Sequence, residues 1–276
     1  MPQTAILTPE QLEAFDRRGV LRLPSLLSAE RVDRAREYVQ RRLALLGLWR
    51  DGAWRLDGRP RPRWPDSGVK ASKAIGNKHP DVEALIEEPA LLAAVNVLLD
   101  GRPFDRSIFP RPQLLITLPN ADRWTAPTGW HADAPRLASG GRPGLQLFAC
   151  LDTVEPHGGG TVVVAGSHQL LNDGVFLPAR EMRRLLCREA FFRELFFPSP
   201  ASGDDRLQRL GQLGARHPAV LELIELTGAP GDAWLVDMRV LHASAPNASD
   251  RPRIMATHRF MPEAVVKALG EAYNWT

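Results

Sequence analysis

The chain has 276 residues, enough for one large domain with a real core, and no stretch reads as a linker, so a single domain is expected over residues 1–276. With 44% hydrophobic and 24% charged residues and a net charge of +3, it has an ordinary globular composition, and its scattered arginines form no aromatic-and-basic stripe for nucleic acid. No run approaches the ~18 apolar residues of a membrane span, no signal peptide opens the chain, and Cys150 and Cys187 make neither a disulfide framework nor a zinc knuckle, so a reducing, cytoplasmic setting is expected.

The first fifty residues read as helical. Thr8-Pro9-Glu10-Gln11 is a capping box with proline at the first helical position. Leu12, Phe15 and Val20 follow it. Ser28 then caps a second helix whose apolar positions Val32, Ala35, Val39, Leu43 and Leu46 share one face. Residues 50–69, rich in Arg, Pro, Trp and Gly, read as an irregular loop, and Pro80 to Leu99 as a further helical stretch.

From residue 112 the texture changes to short apolar or alternating runs bounded by Gly, Pro, Asn or Asp. They are Gln113–Leu118, Leu145–Leu151, Thr161–Ala165, Val220–Leu226, Ala233–Val236 and Ile254–Phe260. Such a series predicts an all-β sandwich or barrel. A helical layer over about residues 1–100 therefore packs on a β core over about 112–262. An insert over about 170–216 breaks the strand rhythm with a helix at Ala179–Leu195 and the loop Pro198 to Gly203. Long inserts of this kind are often lids or substrate loops.

The chemistry-bearing segment is Gly129-Trp130-His131-Ala132-Asp133. Residues two apart on an extended chain face the same side, so His131 and Asp133 can present an imidazole and a carboxylate to one metal. His-x-Asp alone is weak evidence. Among the seven histidines, His242 is the best-placed third ligand, because it follows the strand Ala233–Val236 and precedes a turn. Two histidines and a carboxylate form the facial triad of non-haem iron(II) oxygenases, which leaves positions for a 2-oxo acid and O₂. An arginine about ten residues past His242 (Arg251 or Arg253) offers a planar fork to the far carboxylate of 2-oxoglutarate, and Ser244 can add a hydroxyl.

These segments resemble the phytanoyl-CoA dioxygenase family. The resemblance covers Gly129 to Gln169, with Trp130-His131-x-Asp133, the Gly158-Gly159-Gly160 turn and the Gly166-Ser167-His168 close. It also covers Gly231 to Phe260, and the N-terminal Leu7 to Phe15 followed by Gly19 to Pro24. It implies a double-stranded β-helix, a cupin-like jelly roll with flanking helices. It implies iron ligands His131, Asp133 and His242, with Arg253 as the 2-oxoglutarate arginine (eleven positions past His242) and Ser244 as its helper. The implied reaction is oxidation, typically hydroxylation, of an unactivated C–H bond of a small-molecule metabolite, with succinate and CO₂ as co-products. The chain departs from the family pattern at Pro156-His157-Gly158 and at the small Ala132. Halogenating relatives carry a small residue in place of the Asp, so Asp133 points to hydroxylation or a related oxidation.

Several residues have plainer readings. Gln113 and Thr117, on an early strand, are candidate cofactor neighbours. His168 reads as structural, His157 as an exposed turn residue, and His258 as a β-core or pocket-lining residue. Arg239 reads as a partner of Asp237 or Asp133. Trp130 packs under the site as readily as it touches substrate. Arg123 and Arg136 would suit an anionic substrate, although surface arginine needs no such role. Two rival readings share the fold. A cupin-like isomerase or hydrolase holds zinc or manganese on a similar triad and does not need Arg253. A non-catalytic module would show no iron-dependent turnover.

Overall fold

The computed structural model describes residues 6–55, 75–76, 78–104, 109, 111–133, 141–171, 179–198 and 205–273. Arg136, most of the 50–69 loop and the loop after Pro198 lie outside the described residues.

Helix α1 (Pro9–Arg18) opens as its sequence dictates. The Thr8 hydroxyl accepts from the Gln11 N–H while the Gln11 side chain accepts from the Thr8 N–H. It ends at Gly19, whose φ of +69° only glycine adopts freely. A Cβ there would also lie 2.5 Å from His168 Nδ1 and 2.7 Å from Val240. The next residues depart from the helical expectation, since β1 (Val20–Leu23) is an edge strand. Helical spacing misled at Val20 because the glycine stop frees the chain to pair in the sheet, with Val20 opposite Val236. Helix α2 (Ala29–Leu45) buries Val32, Ala35, Val39 and Leu43. Ser28 makes no side-chain cap and instead donates to Glu88 Oε2 at 2.8 Å.

Strands β2 (Trp49–Arg50) and β3 (Ala53–Trp54) form a small hairpin. The stretch expected as one helix from Pro80 divides into α3 (Pro80–Glu83), a 3₁₀ turn (Ala84–Glu87) and α4 (Pro89–Leu98). The cause is Pro89, which pushes Glu88 to the extended region (φ −65°, ψ 120°).

The β core is two facing antiparallel sheets. Its strands are β4 (Gln113–Thr117), β5 (Leu145–Cys150), β6 (Thr161–Ala165), β7 (Glu222–Glu225), β8 (Ala233–Asp237), β9 (His242–Ser244) and β10 (Arg253–Phe260). The larger sheet runs β1-β8-β5-β10-β4 and the smaller β7-β6-β9. This is a jelly roll with flanking helices, as expected. One face of the larger sheet, including Leu114, Leu147, Leu235 and Ala256, packs on α1, α2 and α4 in the main core. The opposite face supplies Leu115, Phe148, Trp234 and Met255, which meet Val163 and Ala165 of the smaller sheet inside the roll. Each fully buried side chain of this size contributes about 2 kcal/mol.

The insert carries α5 (Ala179–Leu186), α6 (Ala190–Phe196) and α7 (Arg206–Ala215), where a single helix was expected. Phe191, Phe192, Leu195 and Leu210 pack with Val162 and Val164 on the outer face of the smaller sheet. The described part of the insert is thus a buttress. Arg206 ties it to the loop before His131 by donating to the carbonyls of Leu195 (2.8 Å) and Ala126 (3.5 Å). Helix α8 (Glu263–Tyr273) closes the described chain. Among the described residues no helix is long and apolar enough to cross a membrane.

Candidate metal centre

His131 and His242 are brought together by backbone pairing. The His131 N–H donates to the His242 carbonyl at 3.0 Å, and the His242 N–H to the His131 carbonyl at 2.8 Å. Their rings lie side by side with centroids 4.3 Å apart. In each ring Nδ1 faces the carbonyl of the residue two before it, Gly129 at 3.0 Å and Val240 at 3.1 Å. A carbonyl only accepts, so Nδ1 carries the proton and Nε2 is left bare, the tautomer a metal requires. Asp133 closes the set. Its Oδ1 lies 3.7 Å from His131 Nε2 and its Oδ2 3.7 Å from His242 Nε2. One donor atom from each of the three residues falls within 4.8 Å of the others.

The two imidazoles sit in different surroundings. The His131 side chain is 51% exposed at the rim, while that of His242 is 6% exposed and packs edge-on to Phe148. Burial pushes the His242 imidazole down to about 4. Burial opposes ionisation of Asp133, but electrostatic interaction with His242, Arg259 and His131 and the Arg259 hydrogen bond outweigh it, and the carboxyl lies below its usual range.

A pH dependence follows. Between pH 6.5 and about 4 the unfolded chain protonates His242 while the folded protein does not. Stability of the metal-free protein therefore falls as pH falls through that window, by up to roughly 3 kcal/mol. His168, also lowered by burial, adds a contribution of the same sign. Urea unfolding across the window should show this slope, flatter in His242→Gln. An unchanged slope in that variant would mean that His242 is not buried neutral.

Arg253 lies on the inward face of β10, 1% exposed. Its Nη2 donates to the Thr117 hydroxyl at 2.6 Å and its Nη1 reaches the Thr161 hydroxyl at 3.4 Å. Its Nε is buried without a partner, and no described carboxylate forms an ion pair with it. Burial pulls its pKa down to about 10. Arg251 turns away to Asp152, 3.4 Å off. Ser244 is exposed, opposite Thr161 and two residues from His242, so it shares their inward face. Gln113 sits at the other end of β4, opposite Thr257, and lines a small cavity with Phe109 and Arg259.

Sequence reasoning missed Arg259. Its Nη2 and Nε both donate to Asp133 Oδ2, at 2.7 and 3.0 Å. The period-two pattern held the signal, since Arg253, Met255, Thr257 and Arg259 alternate with the outward Ile254, Ala256 and Phe260. Arg239 is engaged with Asp237 through Nε (2.9 Å) and Nη2 (2.7 Å). Trp130 is buried in the insert's cluster. His168 Nε2 meets the Asp16 carbonyl, and His157 stacks on Trp124 beside a cavity of about 450 Å³ on the far side of the smaller sheet.

The sequence model of the phytanoyl-CoA dioxygenase family matches residues 15–255. Among solved structures, AviO1 from Streptomyces viridochromogenes is similar with a TM-score of 0.55 at 20% identity, covering 95% of this chain and 98% of that one. EctD from S. alaskensis, solved with 2-oxoglutarate and 5-hydroxyectoine, gives 0.52 at 20% identity, covering 96% and 79%. HygX from Streptomyces hygroscopicus, solved with nickel and 2-oxoglutarate, gives 0.51 at 19% identity, covering 93% and 88%. At such identities the likeness is one of fold. No functionally curated protein matches the sequence.

Proposed function

The chain belongs to the phytanoyl-CoA dioxygenase family of non-haem iron, 2-oxoglutarate-dependent enzymes, and on that premise we propose that it hydroxylates an unactivated C–H bond of a small-molecule metabolite. His131, Asp133 and His242 hold iron(II), and Arg253 holds 2-oxoglutarate. The whole chain acts as one oxygenase domain, in a cytoplasm whose reducing conditions suit iron(II) and the free Cys150 and Cys187.

The observation that carries this reading is the pairing of a three-residue donor set with a buried cation. Two bare imidazole nitrogens and a carboxylate converge within 4.8 Å, the donor set that suits iron(II) with open positions. On the inner face of the same roll lies a buried guanidinium whose Nε has no partner and which, among the described residues, forms no ion pair. A buried charge without a direct ion-pair partner is costly, and a dicarboxylate chelating the metal would supply one. Both observations fit iron(II) and 2-oxoglutarate.

When bound, iron(II) with 2-oxoglutarate and O₂ supplies the oxidising chemistry, releasing succinate and CO₂. The residues of this chain orient and enclose. The carbonyls of Gly129 and Val240 hold the imidazoles in the ligating tautomer. Arg253 receives the distal carboxylate of 2-oxoglutarate through its planar fork, with the Thr117 and Ser244 hydroxyls beside it. Phe148, Met255 and Val163 keep the inner wall dry, which strengthens these polar contacts. Gln113 is a more distant cofactor neighbour. The substrate approaches from the rim at His131, whose side chain is half exposed.

Anaerobic titration of the iron(II)-loaded protein with 2-oxoglutarate tests the proposal. A weak visible metal-to-ligand charge-transfer band should appear. Its absence in metal-loaded protein would overturn the oxygenase reading in favour of a cupin-like isomerase or hydrolase.

A further inference from the structure

Asp133 offers two oxygens, and the surrounding chain treats them differently. Both Arg259 donors converge on Oδ2, Nη2 at 2.7 Å and Nε at 3.0 Å. A carboxylate oxygen has two lone pairs, so Oδ2 is saturated. Oδ1 lies 3.7 Å from His131 Nε2, and both Arg259 hydrogen bonds go to the other oxygen. The pair is well shielded, with the Asp133 side chain 9% and the Arg259 side chain 28% exposed, so it is no solvated surface bridge. Its geometry is fixed at both ends. The Asp133 N–H donates to the Met238 carbonyl at 3.0 Å, and the Arg259 guanidinium lies 5.5 Å from the Phe109 ring centroid. Rotating the carboxylate would break two charge-assisted hydrogen bonds at once.

We infer that Arg259 is a positioning residue for the metal centre: by saturating Oδ2 it restricts Asp133 to a single metal-ligating oxygen, Oδ1. This rests on the ligand assignment proposed above. The consequence is a matter of coordination number. A carboxylate free to bind through both oxygens would occupy a position that the 2-oxo acid or O₂ needs. Strand β10 thus serves the centre twice, at Arg253 for the cofactor and at Arg259 for the metal carboxylate.

Cobalt(II) titration of the full-length, metal-free protein without 2-oxoglutarate tests this, read by calorimetry and by the visible d–d spectrum. Arg259→Ala should weaken cobalt binding 10- to 100-fold, the usual cost of an outer-shell partner, and should change the spectrum as the carboxylate becomes free to bind through both oxygens. Arg259→Lys should restore part of the affinity through its charge but not the spectrum, because a single ammonium nitrogen cannot reach both lone pairs of one oxygen as the two guanidinium nitrogens do. Wild-type affinity and spectrum in Arg259→Ala would overturn the inference. If that variant does not fold, wild-type spectra in both Arg259→Lys and Arg259→Gln would overturn it equally. His131→Ala separates the two levels: if it binds cobalt as wild type does, the ligand assignment itself has failed.

Discussion

Arg253→Met is expected to make the metal-free protein more stable and to make the holoprotein blind to 2-oxoglutarate. The guanidinium is 1% exposed, and burial lowers its pKa from 12.5 to about 10. That difference corresponds to about 3 kcal/mol of disfavoured charge. Against it stand the hydrogen bonds to Thr117 and Thr161, worth about 1 kcal/mol each. Methionine removes both sides of this balance and fills much of the space. The net should be a gain of about 1 kcal/mol, or a melting temperature higher by a few degrees. With 2-oxoglutarate the order reverses. A ligand at a hundred times its Kd stabilises by about 2.7 kcal/mol, so iron-loaded wild type should gain that much and Arg253→Met almost none. Thermal melts of both proteins, with and without 2-oxoglutarate, decide the matter. A variant that loses stability without ligand, or keeps the ligand-induced gain, would make Arg253 a structural residue.

Removing either histidine of the proposed ligand set should lower 2-oxoglutarate turnover by more than about 100-fold, since loss of an outer-shell partner alone typically costs 10- to 100-fold. The two variants should differ in stability. The His131 side chain is 51% exposed, so His131→Ala should unfold within about 0.5 kcal/mol of wild type. The buried His242 packs against Phe148, and His242→Ala opens a cavity that should cost about 1–3 kcal/mol. Iron-dependent succinate formation measured beside urea unfolding separates the effects. His131→Ala that is fully stable yet inactive would isolate the metal role. Undiminished turnover in either variant would remove that residue from the ligand set.

Much of this protein is readable without coordinates where the cause is local. The capping box at Thr8–Gln11, the apolar stripe of α2 and the alternation in β4 and β10 are set by neighbours a few residues away. The spacing His131-x-Asp133 belongs to the same class, because a period-two chain carries both side chains to one face. The errors arose where distant contacts overrule local preference. Val20–Leu23 has helix-compatible spacing but becomes a strand because β8 offers it a partner. The three-residue β9 carries no pattern of its own and exists through pairing with β6.

The composition of the site divides in the same way. The types of the candidate ligands and their spacing lie in the sequence. The convergence of His242 on His131, 111 positions away, is made by two long-range hydrogen bonds. Arg251 and Arg253 share one parity, so what separates them is Asp152, which pairs with Arg251 just before β10 begins. Asp133 meets Arg259 across 126 positions, and only the closure of the roll brings those charges to hydrogen-bonding distance. Local sequence thus determines which groups are available and which face each one takes. The tertiary structure determines which of them meet, because pairing two sheets across the roll brings together residues that no local interaction relates.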